Sequence, residues 1–215
     1  MTVFRKFEVC ASYESSVVKS PPSPSRKPLA LITYNMDIAS KTLKKLQTEK
    51  TFVDIFTDLF NESFYGYIRQ FNDEFLLLEH YNDDGLFNGI IVFKREDITR
   101  IKWANNDINS VQKIINKHDQ EKNIESIKID SLEVILKSIN KAFKHVNINI
   151  QNIDSGMCII GEIEEMDEVS IVIKEFGTRS SLDRGRIMFA MEDITRIDAG
   201  GLYENGLLKV HKKKN

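Results

Sequence analysis

Cysteine, histidine and proline are scarce in this sequence, and each scarcity removes a class of explanation. Cys10 and Cys158 are the only cysteines, too few for the disulfide framework of a small secreted domain. With His80, His118, His145 and His211 scattered and none at ligand spacing, they are also too few for a zinc site. Purely apolar runs such as Phe75–Leu78, Ile90–Phe93 and Met157–Ile160 fall far short of the ~18 residues a membrane-crossing helix needs. Arg5, Lys6 and Glu8 interrupt the stretch where a secretory signal would carry its apolar core. These absences point to a chain with no membrane segment and a cytoplasmic location.

Catalytic signatures are missing as well. There is no GxSxG, no Cys/His pair, no HExxH, and no glycine-rich GxxxxGK or GxGxxG loop. The carboxylates of Asp73-Glu74 and of Glu164-Glu165-x-Asp167-Glu168 fall in tight turns, whereas paired catalytic acids need burial to separate their pKa values. Gly200-Gly201 reads as a flexible exit from a last strand. The expectation is a protein that is not an enzyme and that carries no cofactor or metal.

What is present is an ordinary globular composition, 41% hydrophobic and 29% charged over 215 residues. All four prolines lie between residues 21 and 28, so residues 1–35 read as a disordered leader. It carries Pro21-x-x-Pro24-x-Arg26, a polyproline pattern that is more often a plain linker than a docking motif. Ala39, Leu43 and Leu46 then share one helical face behind the cap Asp37. Five short strands follow, around Val53–Ile55, Phe64–Phe71, Phe75–Tyr81, Gly89–Phe93 and Ile98–Ile101. Ile108, Val111, Ile115 and His118 mark a further amphipathic helix.

The strongest signal is internal repetition. Glu96-Asp97-Ile98-Thr99-Arg100-Ile101 recurs unchanged as Glu192-Asp193-Ile194-Thr195-Arg196-Ile197. Working backward, Gly89 to Phe93 matches Gly185 to Phe189, Gly66-Tyr-Ile68 matches Gly161-Glu-Ile163, and Val53-x-Ile55 answers Val146-x-Ile148. Leu132, Ile135, Ile139 and Phe143 repeat the helix, opened by an Asp130-x-x-Glu133 capping box.

A helix followed by five strands, with Gly66 or Gly161 in the second and an Ile98-x-x-Ile101 or Ile194-x-x-Ile197 ending, resembles the Sm-like family of small bent barrels. SH3-like and PRC-type barrels share that strand spacing and stay open as alternatives. The resemblance implies an α+β fold: two tandem five-stranded antiparallel, strongly bent β-barrels, each preceded by a helix, with a helical linker. The boundaries are a leader at 1–35, barrels with their helices at 36–103 and 130–200, a linker at 104–129 and a basic tail at 201–215. RNA-binding members use an Asp-x-x-Met-Asn motif after strand two and an Arg-Gly pair after strand four, and neither is intact here. Phe71-Asn72-Asp73-Glu74 and Met166-Asp167-Glu168-Val169 replace the first, and Lys94-Arg95 and Ala190-Met191 the second.

Charge separates the remaining partners. Ten acidic and four basic residues lie between Val53 and Ile101, and ten and five between Val146 and Ile197. Such surfaces repel phosphates, whose neutralisation supplies most nucleic-acid affinity. The expectation is a non-catalytic binding or assembly module that pairs strand edges and acidic surfaces with a protein partner or with itself. The alternative is an RNA-associated protein with Lys94, Arg95, Arg100, Lys212, Lys213 and Lys214 as nucleic-acid contacts. Aromatics such as Phe64, Tyr65, Tyr67 and Trp103 offer stacking platforms to that alternative, although strand alternation assigns most of them to the core.

Overall fold

A computed structural model describes residues 37–57, 62–115, 124–177 and 184–212. The leader at 1–35, with its polyproline pattern, lies outside them, as do His118, Lys213 and Lys214. The first half opens with α1 (Ile38–Thr48), whose free amides are met by Asp37, accepting from Ser40 N at 2.6 Å. Strands β1 (Phe52–Thr57), β2 (Glu62–Phe71), β3 (Phe75–Tyr81) and β4 (Phe87–Lys94) follow. A 3-10 turn at Arg95–Asp97 leads into β5 (Arg100–Trp103) and α2 (Asn106–Ile114). The second half repeats this order: α3 (Leu132–Phe143), β6 (Val146–Asn149), β7 (Cys158–Met166), β8 (Ser170–Glu175), β9 (Arg186–Ala190), a 3-10 turn at Met191–Asp193, β10 (Arg196–Ala199) and α4 (Leu202–Lys212). The repeated hexapeptide thus takes one local shape twice, a 3-10 turn running into a strand.

The strands do not close into two separate barrels joined by a helical linker. They form one open antiparallel sheet of ten strands, in the order β5-β1-β2-β3-β4-β10-β6-β7-β8-β9. The join is the pairing of β4 with β10, in the register Arg196 to Phe93, Ile197 to Val92, Asp198 to Ile91 and Ala199 to Ile90. An uncovered strand edge is a liability, and β4 and β10 cover one another. The expected pair of barrels is replaced by one continuous sheet carrying four helices among the described residues.

Each half bends at the same two places. A Cβ at Gly66 would lie 2.1 Å from the Glu79 carbonyl oxygen, and one at Gly161 2.3 Å from that of Lys174, so only glycine lets the third strand of each half approach so closely. A register shift follows in each, between Ile68 and Gln70 and between Ile163 and Glu165, which adds local twist.

Two cores lie on opposite faces of the sheet. Leu76, Leu78, Ile91 and Phe93 face the first, under Leu43 and Leu46 of α1. Their neighbours Phe75, Leu77, Ile90 and Val92 face the second, with Ile135 and Ile139 of α3 and Ile197 of β10. Strands β3 and β4 are therefore apolar on both sides. Helix α2 seats Ile108 on Phe52 and Tyr81 outside the first half, and α4 seats Leu207 on Ile160 and Phe176 outside the second. Two local details differ from the sequence reading: Ser131 rather than Asp130 caps α3, accepting from Val134 N at 3.3 Å, and α4 occupies most of the segment read as a tail. Among the described residues no helix is long and apolar enough to cross a membrane.

Candidate functional site

The seam between β4 and β10 is the feature with the most elaborate chemistry. Its apolar face is shared: Phe75, Leu77, Ile90 and Val92 from the first half enter the core of the second. Burial of each such side chain stabilises by about 2 kcal/mol. On the opposite face β4 contributes Ile91 and Phe93, and β10 sets polar Arg196 and Asp198 beside them. Arg196 donates to Glu62 on β2, to Asp198 at 3.2 Å and to Asn149 at 3.2 Å, and its guanidinium stacks 4.6 Å above the Phe64 ring. Glu62 also accepts from Gln151 at 3.0 Å, and Asp198 from Asn149 at 3.2 Å. One arginine from the repeated hexapeptide thus ties both halves together through charge-assisted bonds.

Titration at the seam reflects this crowding. Burial raises the Asp198 carboxyl to about 6, against the pull of Arg196 and with the help of the nearby Glu204 and Glu62 carboxylates. Burial together with the Arg196 charge lowers His80 to about 4. His145 is likewise lowered by burial; its Nδ1 lies 2.9 Å from the Phe143 carbonyl oxygen and its Nε2 accepts from Gly200 N at 3.2 Å, an arrangement that requires the neutral ring.

The two outer strands, β5 and β9, are the other distinctive feature. Trp103 on β5 is 45% exposed and Met188 on β9 is 71% exposed, with Val169 beside β8 at 69%. Beside β5, a groove of about 290 Å³ runs between α1 and the strand, lined by Leu43, Leu46, Ile98, Ile101 and Trp103 among others. On the other face of β5, Arg100 and Lys102 stand 4.0 and 4.5 Å over the Phe56 ring. Along β9, Arg186 pairs with Glu164 at 2.5 Å and Arg184 with Glu162 at 2.8 Å, so part of the acidic surface is neutralised within the chain.

Of the sequence-derived nucleic-acid contacts, Lys94, Arg95, Arg100 and Lys212 lie among the described residues. Lys94 reaches across the seam to the Glu192 carbonyl at 3.0 Å. Arg95 donates to the Asn72 carbonyl at 2.7 Å beside the α1 groove, while Arg100 carries its guanidinium to the Phe56 ring. Lys212 ends α4, while Lys213 and Lys214 lie outside the described residues. Of the aromatics, Tyr65 and Tyr67 pack against Phe52 under α2, Phe64 lies beneath Arg196, and Trp103 alone of those four is exposed. The turns that replace the RNA motif are closed by their own side chains: Asn72 Oδ1 accepts from Glu74 N and Phe75 N, and Asp167 Oδ1 from Val169 N and Ser170 N.

Sequence reasoning missed Glu62, Arg196 and Asp198 as a unit. The signal was present in the strands beside them, because β4 reads Ile90-Ile91-Val92-Phe93 without alternation, as a strand buried on both faces does. Its counterpart β9 reads Ile187-Met188-Phe189-Ala190 with no more alternation, but in the fold Arg186 and Met188 are exposed and Ile187 and Phe189 half-buried, as in a strand with one wet face. Among the described residues no group of three His, Cys, Asp or Glu side chains could hold a metal ion. Comparison with known proteins finds no matching family model, no matching curated protein and no matching solved structure.

Proposed function

We propose that this chain is a non-catalytic binding or assembly module that works by adding strands to the two ends of its sheet. The observation that carries the reading is the seam: β4 and β10 already join two five-stranded units by edge pairing. The strands matching them by position in the other unit, β9 and β5, are the two ends of the sheet. Edge addition supplies affinity through main-chain hydrogen bonds and specificity through alternate side chains. Exposed Trp103 and Met188 on the end strands are the apolar contacts such a partner would cover.

Two short peptides test this. One copies β4 (Phe87–Lys94), the natural complement of a β10-type strand, and the other copies β10 (Arg196–Ala199) with its flanking residues. The first is expected to shift the emission of Trp103, the only tryptophan in the chain, to the blue and to protect β5 amides from exchange. The second is expected to protect β9 amides. If neither edge gains protection at millimolar peptide, strand addition is not how this protein binds.

A further inference from the structure

Resting on that reading, we infer that the occupant of each sheet end is a second copy of this chain, with β9 of one copy paired to β5 of the next in the register of the internal seam. Matched positions lie 96 residues apart between β4 and β9 and between β5 and β10, and 95 apart between β2 and β7 and between β3 and β8: β3 pairs Leu76 with Phe93 and Leu77 with Val92, and β8 pairs Ile171 with Phe189 and Val172 with Met188. Carried over from the seam, the register sets Arg100 opposite Phe189, Ile101 opposite Met188, Lys102 opposite Ile187 and Trp103 opposite Arg186.

Both faces of that junction find partners. On one, Leu77 and Val92 fill the space beside α3 and β10 at the seam, and their matches are Val172 and Met188. The corresponding space beside α1 and β5 is the 290 Å³ groove, so Met188 of one copy, 71% exposed in the single chain, enters between Leu43, Leu46 and Ile101 of the next. On the other face, Arg196 is met by Glu62 and sits near His80. The residue matching Glu62 is Met157, which carries no charge, but the residue matching His80 is Glu175. A carboxylate thus returns from the neighbouring strand to face Arg100, the match of Arg196. Trp103 opposite Arg186 adds a cation over an aromatic ring.

Because β5 and β9 are different surfaces, the contact is head-to-tail: it closes into a ring if the rotation between copies closes and otherwise runs on as a filament. Native mass of the full chain is expected to be a multiple of one chain. Ile101→Asp and Met188→Asp each place a charge at one end only, and each variant is expected to run as a single chain. Mixed in equal amounts they are expected to form a two-chain species and nothing larger, since each retains the end the other has lost. Arg100→Glu is expected to disperse the assembly and Arg100→Glu with Glu175→Arg to restore it. Circular dichroism of each variant separates loss of assembly from loss of fold, and Met188→Asp, altering an exposed side chain, keeps the test open if Ile101→Asp does not fold. A wild-type chain that stays single at high concentration overturns the second copy as partner, while binding of the two peptides would leave strand addition standing. Either variant retaining the wild-type mass, or folded variants that stay single when mixed, overturns the register.

Discussion

Arg196 and Arg100 are the same residue of the same hexapeptide, yet one is enclosed between two halves of the sheet and the other lies on its rim. What encloses Arg196 also sets two titrations against each other. Asp198, held up at about 6, takes a proton in the folded chain before it does so unfolded, so its contribution to stability grows as pH falls from about 6 towards 4. His80, held down to about 4, is protonated first in the unfolded chain, so its contribution is lost over the fall from about 6.5 towards 4. The two oppose, and the change in melting temperature of the wild type across this window should lie between those of the variants that remove one group each. Asp198→Asn is expected to lose stability more steeply on acidification, and His80→Gln to lose less or to gain. Thermal unfolding between pH 7 and 4 checks both, and parallel curves for all three proteins would remove these groups from the account. None of this was legible in the sequence, because Glu62, His80 and Asp198 are far apart in the chain and become neighbours only through the β4 and β10 pairing.

At the level of elements, the strands and the helices α1, α2 and α3 were legible because their apolar spacing is local and their caps adjoin them. Helix α4 was not. Gly200-Gly201 read as a flexible exit from the last strand, and the side chain that meets the helix's first turn is remote: Asn88 Oδ1 accepts from Leu202 N at 2.9 Å. Asn205 adds a second tie, donating to the Gly200 carbonyl at 2.9 Å, and the helix is pinned by Leu207 against Ile160 and Phe176. Leu207→Ala is expected to cost about 3 kcal/mol in denaturant unfolding. Asn88→Ala is expected to cost about 1 kcal/mol. Both should speed amide exchange within residues 202–212 before exchange in the strands changes. A helix whose exchange is indifferent to both substitutions would not be held by these contacts.

For the molecule as a whole, the repetition was readable and the way the repeats meet was not. A repeat fixes what each unit resembles, while the choice between two closed units and one open sheet turns on a pairing between residues about a hundred positions apart. The run of apolar residues through β3 and β4 carried that choice, since a separate unit would wet one side of both strands. Sharing Phe75, Leu77, Ile90 and Val92 across the seam also couples the halves energetically. The chain is expected to unfold in one transition, with the midpoint reported by Trp103 in the first half coinciding with that of far-ultraviolet circular dichroism over both. A separate early midpoint for Trp103 would mean that the halves melt independently. The unlikeness of β5 and β9 has one more consequence, which concerns growth. A chain spoiled at a single rim would still seat on a finished neighbour while offering nothing onward, so a small fraction of Met188→Asp protein added to wild type would act as a terminator and shorten the whole population.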